Sequence, residues 1–180
     1  MISHFHPDHI SGLWAKETSA PVFANAEILM PEVEYKFWTD AALVDKVPDG
    51  LKPHVRRIQS TFPTWKNIKQ YADGAEVAPG VRAIATPGHT AGHTAFHVSS
   101  GGQQLFVLGD AVTLPFLFAS NPGRHVMFDS NGPLAEASRR MIMERVVAEK
   151  AMLTGYHFGF PNVGTLAKDG SGYAFTAVKA

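Results

Sequence analysis

The sequence is informative first for what it lacks. It contains no cysteine among its 180 residues, which excludes disulfide bonds and thiolate metal ligands. Its longest apolar run, AVTLPFLFA at Ala111–Ala119, has about half the length of a membrane-spanning helix and includes a proline. The N-terminus shows neither the basic segment nor the apolar segment of a secretory signal peptide. We therefore expect no membrane association, and the cytoplasm and the periplasm both remain open as compartments.

The sequence also has little charge, with neither sign in excess. Sixteen basic and sixteen acidic residues cancel, and charged residues make up only 18% of the chain. Because no basic stripe is present, binding to nucleic acid or to an anionic membrane is not expected. The mixed charges between Arg139 and Lys150 predict a solvated helix face.

Histidine is instead abundant, and the N-terminal motif HFHPDH contains four of the potential metal ligands. His4 and His6 are two residues apart, so an extended backbone directs both imidazoles to one side, where they could chelate one ion. Pro7 then turns the chain, which could direct Asp8 and His9 toward a second ion. Imidazole and carboxylate ligands suit zinc, manganese, cobalt or iron better than calcium. The alternative is a surface histidine cluster or a purification-tag remnant, although a tag would not interleave Phe, Pro and Asp at this spacing.

Three further candidate ligands occur where a predicted strand ends. His89 follows VRAIAT and a Pro-Gly stop, Asp110 follows QQLFVLG, and His157 follows MLTGY. A carboxylate directly after an apolar strand is costly to bury unless a positive group compensates it. Taken singly, Asp110 could be a turn or helix-cap residue, and His157 could be a core histidine. We assign His93 a packing or supporting role, with the alternative that it replaces His89 as a ligand.

The remaining sequence predicts a mixture of helices and strands. A helix is predicted over Ala26–Val44 with a kink at Pro31, a weaker one in LKPHVRRIQSTF, and the strongest over Gly132–Leu153. Strands are predicted in IKQYADG, VRAIAT, TAFHVSS and QQLFVLGD. SSGGQQ is predicted to form a hairpin turn, and a last hairpin is predicted around Asp169-Gly170.

Four motifs in order, HFHPDH, PGHTAGH, LGD and GYHFGFP, resemble those of the metallo-β-lactamase-fold hydrolases, and the resemblance covers essentially the whole chain. It is strongest to the branch of methyl parathion hydrolase-like proteins, through HPDHISGL, a Phe-Trp pair, GHTAGHT, FPNVG and a closing GxGYxFxxV segment. The resemblance implies an α+β fold, the αββα four-layer sandwich of that family. It also implies the ligands of two divalent metal ions: His4, His6 and His89 for one, Asp8, His9 and His157 for the other, and Asp110 as the bridge.

The same resemblance implies a hydrolase in which a metal-bridging hydroxide attacks an organophosphate triester, an aryl ester or a lactone. Acyl-homoserine lactonase or β-lactamase-like hydrolysis is the alternative within the family. Zinc is the expected metal, with manganese, cobalt or iron as alternatives. Asp8, which offers an ionisable oxygen near the nucleophile, could shuttle a proton to the leaving group. Trp38 could wall an apolar substrate pocket, or it could equally pack on the core side of a helix.

In the family, the first metal motif follows a first half of strands, whereas only Met1-Ile2-Ser3 precede His4 here. We therefore expect residues 1–180 to form a single metallo-β-lactamase-like hydrolase domain that lacks most of its first sheet. A truncated, non-catalytic fragment or interaction module is the alternative of another class. The expected partner is a small-molecule substrate, and a homodimer is a further alternative.

Overall fold

The computed structural model of the protein describes residues 1–178. Its contacts divide the chain into two compact units, Met1–Ala72 and Asp73–Ala180. Both units combine helices with strands, so the predicted α+β class is confirmed. Within the described residues, no helix is both long and apolar enough to cross a membrane.

The first unit combines two short parallel strands with three α-helices around an aromatic core. Its regular elements are, in chain order, α1 (Pro7–Ile10), β1 (Ile28–Pro31), α2 (Glu32–Thr39), α3 (Lys52–Thr61) and β2 (Ile68–Tyr71). Short 3₁₀ turns occur at Ser11–Leu13, Ala41–Asp45, Asp49–Leu51 and Phe62–Thr64. Four nearly fully buried aromatic side chains lie in the core: Phe5, Trp14, Trp38 and Phe62. This core packs directly behind the HFHPDH motif, because Phe5 belongs to both.

The predicted helix over Ala26–Val44 is wrong in its first part. Ile28–Pro31 is a strand, and the helix starts only at Glu32. Pro31 has an extended conformation, with ψ at 131°, and precedes the first helical residue. Proline lacks a backbone N–H and disfavours helical geometry in the residue before it, so it separates a strand from a helix here instead of kinking one helix. The weaker candidate in LKPHVRRIQSTF is confirmed as α3, which has a proline in its first turn.

The second unit is built on a seven-stranded sheet in its described part, with neighbours in chain order. The strands are β3 (Glu76–Ala78), β4 (Val81–Ala85), β5 (Thr94–Ser100), β6 (Gln103–Val107), β7 (Met152–Thr154), β8 (Val163–Asp169) and β9 (Gly172–Ala177). Only β6 and β7 pair in parallel, and the connection between them contains α4 (Pro115–Ser120) and α5 (Gly132–Ala148). A parallel pair requires such a crossover, whereas the antiparallel pairs need only short turns.

Both predicted hairpins are confirmed. SSGGQQ joins β5 to β6 through Gly101 and Gly102, whose φ values of 55° and 80° suit a two-residue turn with both central residues left-handed. In the second hairpin, Asp169 pairs with Gly172 at the start of β9. The strongest predicted helix is shorter than expected, because α5 ends at Ala148 and the chain continues through Lys150, at φ 49°, into β7.

Candidate metal centre

The N-terminal motif of the first unit forms a compact histidine cluster. The ring centroid of His4 lies 4.9 Å from that of His6 and 4.1 Å from that of His9. Pro7 causes this arrangement, because it begins α1 and turns the extended segment into a helical one. The first helical turn then places Asp8 beside His9, with Asp8 Oδ2 at 3.3 Å from His9 Nε2. The structure thus brings together the four candidate ligands that the sequence places in this unit.

Burial differs among these four side chains. His4 is fully buried, and its Nδ1 lies 3.1 Å from Ser3 Oγ, so Nε2 is the nitrogen suited to a metal. The side chain of Asp8, in contrast, is 46% exposed. An accessible carboxylate next to buried imidazoles is suited to exchange protons with bound molecules.

The second unit holds the other three candidate ligands around one carboxylate oxygen. Asp110 Oδ2 lies 3.3 Å from His89 Nε2 and 3.2 Å from His157 Nε2. Asp110 and His89 are buried, whereas the side chain of His157 is 40% exposed. All three follow strands of the same sheet: His89 follows β4, Asp110 follows β6 and His157 follows β7, with β6 and β7 adjacent and β5 between β4 and β6.

Gly88 sets the path of the loop that carries His89. Its φ is 124°, a value that favours glycine. A Cβ at this position would lie 2.1 Å from the backbone nitrogen of Ala135 in α5. The loop after β4 can therefore approach the first turn of α5 only with glycine here, and this approach brings His89 close to the residues that precede α5.

One of those residues, Asp129, contacts His89 directly, and the sequence did not indicate it. Asp129 Oδ1 lies 2.9 Å from His89 Nδ1, and Asp129 Oδ2 accepts a hydrogen bond from the backbone N–H of Val126. Burial would raise the pKa of the Asp129 carboxyl, but the hydrogen bond with His89 and the nearby positive charge of Arg139 hold it below its usual value. A carboxylate on Nδ1 fixes the ring so that Nε2 faces Asp110, an arrangement common among metal-binding histidines.

Arg139 lies behind Asp129, and the prediction that it belongs to a solvated helix face is wrong. Its side chain is only 2% exposed, and it donates hydrogen bonds to the carbonyl oxygens of Ala111 at 2.8 Å, Pro122 at 2.9 Å and Arg124 at 2.6 Å. Its Nη2 also lies 3.6 Å from Asp129 Oδ2. These acceptors compensate for the lost hydration of the guanidinium. Arg139 therefore links the loop after Asp110 to the carboxylate that holds His89.

Trp38, the predicted pocket residue, lies in the core of the first unit. It is 3% exposed, its Nε1–H donates a hydrogen bond to Glu34 Oε1 at 2.7 Å, and its ring centroid is 6.1 Å from that of His6. The alternative of a core tryptophan describes this packing. The pocket role stays a prediction, supported only by the proximity to His6.

The residues present fit a divalent cation. Within the described residues, the two clusters offer only imidazole and carboxylate groups, which are the ligands of zinc and related transition metals. The electrostatic environment agrees: burial would lower the pKa of His89, but hydrogen bonds and charges from Asp110 and Asp129 raise it to about 9. Surroundings that favour a proton so strongly also favour a metal cation at the same point.

Comparison with known proteins agrees with these observations. Residues 1–145 match the model of the metallo-beta-lactamase superfamily, and the chain belongs to that superfamily. Curated protein sequences give no match.

Several solved structures share the fold. AidC, described as a dizinc quorum-quenching lactonase, is similar with a TM-score of 0.89 and 25% identity, over 99% of this chain and 63% of that chain. The hydrolase AbOPH of the beta lactamase superfamily is similar with a TM-score of 0.86 and 22% identity, over 99% of this chain and 63% of that chain. A probable metal-dependent hydrolase from Staphylococcus aureus is similar with a TM-score of 0.76 and 19% identity, over 99% of this chain and 61% of that chain. The chain thus spans less than two thirds of the length of these structures.

Proposed function

We propose that the protein is a dinuclear metal hydrolase that cleaves an organophosphate triester, an aryl ester or a lactone in a small molecule. The observation that supports this most directly is the position of Asp110, whose single oxygen Oδ2 faces the Nε2 atoms of His89 and His157. A buried carboxylate facing two imidazoles is suited to share its charge between two cations.

In this proposal the two histidine clusters act together. His4, His6 and His89 would hold one ion, Asp8, His9 and His157 the other, and Asp110 would bridge them. Zinc is the proposed metal, because the donors suit it and because the similar protein AidC is described as dizinc. The convergence of all seven side chains is part of the proposal, and X-ray absorption of the zinc-loaded chain should give nitrogen and oxygen ligands at about 2.0–2.2 Å.

When bound, a pair of divalent ions supplies a nucleophile at neutral pH by lowering the pKa of water, and it stabilises charge that develops on the substrate oxygen. The chain itself supplies orientation and proton transfer. Asp129 holds Nδ1 of His89 and so keeps Nε2 directed at Asp110. The carboxylate of Asp8, nearly half exposed, would pass a proton to the leaving group.

Among the substrate classes, lactones have support from similar structures, because AidC is described as a quorum-quenching lactonase and two other structures at 24% identity as lactone hydrolases. Acyl-homoserine lactone hydrolysis is therefore the second candidate. The closeness to methyl parathion hydrolase-like proteins remains a proposal from the sequence motifs, and it favours phosphotriesters. A non-catalytic interaction module is the alternative of another class.

A single set of measurements tests the proposal. Zinc content is determined by elemental analysis, and hydrolysis is measured with a nitrophenyl phosphotriester, a nitrophenyl ester and an acyl-homoserine lactone. We expect two zinc ions per chain and turnover of at least one substrate. Asp8→Asn replaces a proposed ligand by a neutral amide, so it should lower both the zinc content and the turnover. His125→Asn, an exposed histidine outside both clusters, is the control. A chain that binds no zinc, or that binds two and hydrolyses none of the three, would refute the proposed activity.

A further inference from the structure

The backbone between His4 and His6 is held by two side chains that have no part in the proposed ligand set. The N–H of Phe5 donates a hydrogen bond to Glu34 Oε1 at 2.9 Å. The carbonyl oxygen of Phe5 accepts one from His54 Nε2 at 2.8 Å. Glu34 belongs to α2 and His54 to α3, so two different helices hold the two polar groups of one residue.

Glu34 is a costly residue for this position. It is fully buried, and the same Oε1 that binds the Phe5 N–H also accepts the Nε1–H of Trp38 at 2.7 Å. A buried carboxylate requires such donors, and an apolar side chain of similar size would fill the same volume without this requirement. Glu34 therefore contributes more to orienting the backbone of Phe5 than to the stability of the fold.

His54 is oriented as a donor. Its ring contacts two tryptophans edge to face, with centroids 6.2 Å from Trp14 and 5.7 Å from Trp38. Because a carbonyl oxygen only accepts, Nε2 of His54 must carry the proton. The surrounding aromatic rings keep the imidazole in the plane that directs Nε2–H at Phe5.

The side chain of Phe5 is fixed as well. It is fully buried and meets Phe62 edge to face, with ring centroids 5.3 Å apart. With its side chain and both backbone polar groups held, Phe5 cannot rotate about φ or ψ without breaking contacts. His6 has an extended backbone, and the rings of His4 and His6 lie together with centroids 4.9 Å apart, so holding Phe5 between them fixes the directions of both.

We infer that Glu34 and His54 are positioning residues of the metal centre, acting through Phe5 to hold His4 and His6 in the geometry that binds the metal. This inference rests on the proposed function, because it takes His4 and His6 as ligands. Neither residue touches the metal in this account. Their effect is on affinity and coordination geometry, because unrestrained ligands must be ordered when the metal binds.

The test uses the full 180-residue chain and zinc. The variants are Glu34→Leu, which removes the acceptor, and His54→Phe, which keeps a ring but removes the donor. Glu34→Gln keeps an acceptor oxygen and serves as the conservative replacement. Ile58→Ala, a fully buried change in α3 that removes neither hydrogen bond to Phe5, is the control for general destabilisation of the same core. Zinc affinity is measured by competition with a chromophoric chelator, and geometry by the visible spectrum of the cobalt-substituted protein.

We expect Glu34→Leu and His54→Phe each to weaken zinc binding by about 10–100-fold, the range found for groups that orient metal ligands, and to change the cobalt spectrum. Glu34→Gln should restore most of the affinity. Ile58→Ala should lower thermal stability and leave both readouts close to those of the unsubstituted protein. In the zinc-free chain, Glu34→Leu should also speed hydrogen exchange at the Phe5 amide relative to Ile58→Ala.

Two outcomes would overturn the inference. One is unchanged zinc affinity in both Glu34→Leu and His54→Phe. The other is an equal loss of zinc affinity in Ile58→Ala, because the loss would then follow from general destabilisation and not from the contacts with Phe5. If Glu34→Leu fails to fold, His54→Phe decides alone. The variant His4→Ala separates the two proposals: if it leaves zinc binding unchanged, the ligand assignment itself fails, whatever the positioning variants do.

Discussion

The backbone N–H of Asp110 donates a hydrogen bond to Nε2 of His93 across 3.0 Å. Because Nε2 accepts, the ring proton lies on Nδ1, which is 2.7 Å from Thr86 Oγ1 and donates to it. His93 is fully buried, and both of its nitrogens are engaged within the second unit. This supports the packing or supporting role expected from the sequence over the alternative in which His93 replaces His89 as a ligand.

Replacing His93 should therefore disturb the metal centre through Asp110. His93→Phe keeps a ring but removes the acceptor for the Asp110 N–H, so the carboxylate is less well oriented. We expect zinc affinity to fall by about 10-fold or more, as for other groups that orient ligands. His97→Phe is a matched control in β5, which begins one residue after His93, because His97 binds Gln104 and stacks on Phe106 instead. Equal affinities of the two variants would remove His93 from the supporting role.

Asp110 itself should be the most sensitive residue of the second cluster. Asp110→Asn keeps the shape but removes the negative charge between His89 and His157, and a neutral amide is a poor bridge. We expect one metal equivalent per chain to be lost in elemental analysis, together with most hydrolysis. The exposed Asp45→Asn serves as the control for the loss of one carboxylate. If Asp110→Asn retained two metals and an unchanged rate, Asp110 would not be a bridge.

The residues that bear the proposed ligands could be predicted because their pattern is local. HFHPDH is one continuous motif, and the other ligands directly follow apolar strands, where a charged or titratable side chain is conspicuous. The strands β4, β5 and β6 and both hairpins of the second unit were also predictable from turn glycines and apolar runs, whereas the short strand β3 was not predicted. The helix predicted over Ala26–Val44 is wrong in its first part because Pro31 marks a boundary between a strand and a helix, not a kink within one helix.

The supporting residues could not be predicted, because their partners are distant in sequence. Asp129 lies 40 residues from His89, Glu34 lies 29 residues from Phe5, and His54 lies 49 residues from Phe5. No periodicity links such pairs, and each residue has an ordinary local interpretation as a helix or loop polar group. Arg139 is the clearest case, since its helix is charged along its sequence and only the fold buries this one guanidinium.

Arg139 offers a direct test of stability. Arg139→Met keeps most of the apolar length but removes the donors to the carbonyls of Ala111, Pro122 and Arg124, and leaves Asp129 without its nearby positive charge. We expect a loss of about 3–5 kcal/mol in the free energy of unfolding, as when one partner of a buried ion pair is removed. Urea denaturation measures it. Arg140→Met, at the next and more exposed position, should change the midpoint little, and similar midpoints for both variants would contradict the role given to Arg139.

The buried position of His54 should make the zinc-free protein sensitive to mild acid. Burial lowers the pKa of His54 below its ordinary 6.5, and the positive charge of Arg57 lowers it further, although the hydrogen bond to Phe5 opposes the shift. At a pH between the lowered value and 6.5, the unfolded chain binds a proton at His54 more readily than the folded chain does. The contribution of His54 to the free energy of unfolding is therefore fully present above pH 6.5. It is lost as the pH falls toward the pKa of His54 in the folded chain.

His54→Gln tests this dependence, because the glutamine amide can still donate to the Phe5 carbonyl but does not titrate. Unfolding free energies measured by urea titration in EDTA, between about pH 7 and pH 5, should fall less steeply for His54→Gln than for the unsubstituted chain. EDTA removes metal release as a second source of acid sensitivity. His125→Gln, at an exposed site, is the control for replacing a histidine. If the free energy of unfolding falls with pH as steeply for His54→Gln as for this control, the fold does not hinder protonation of His54.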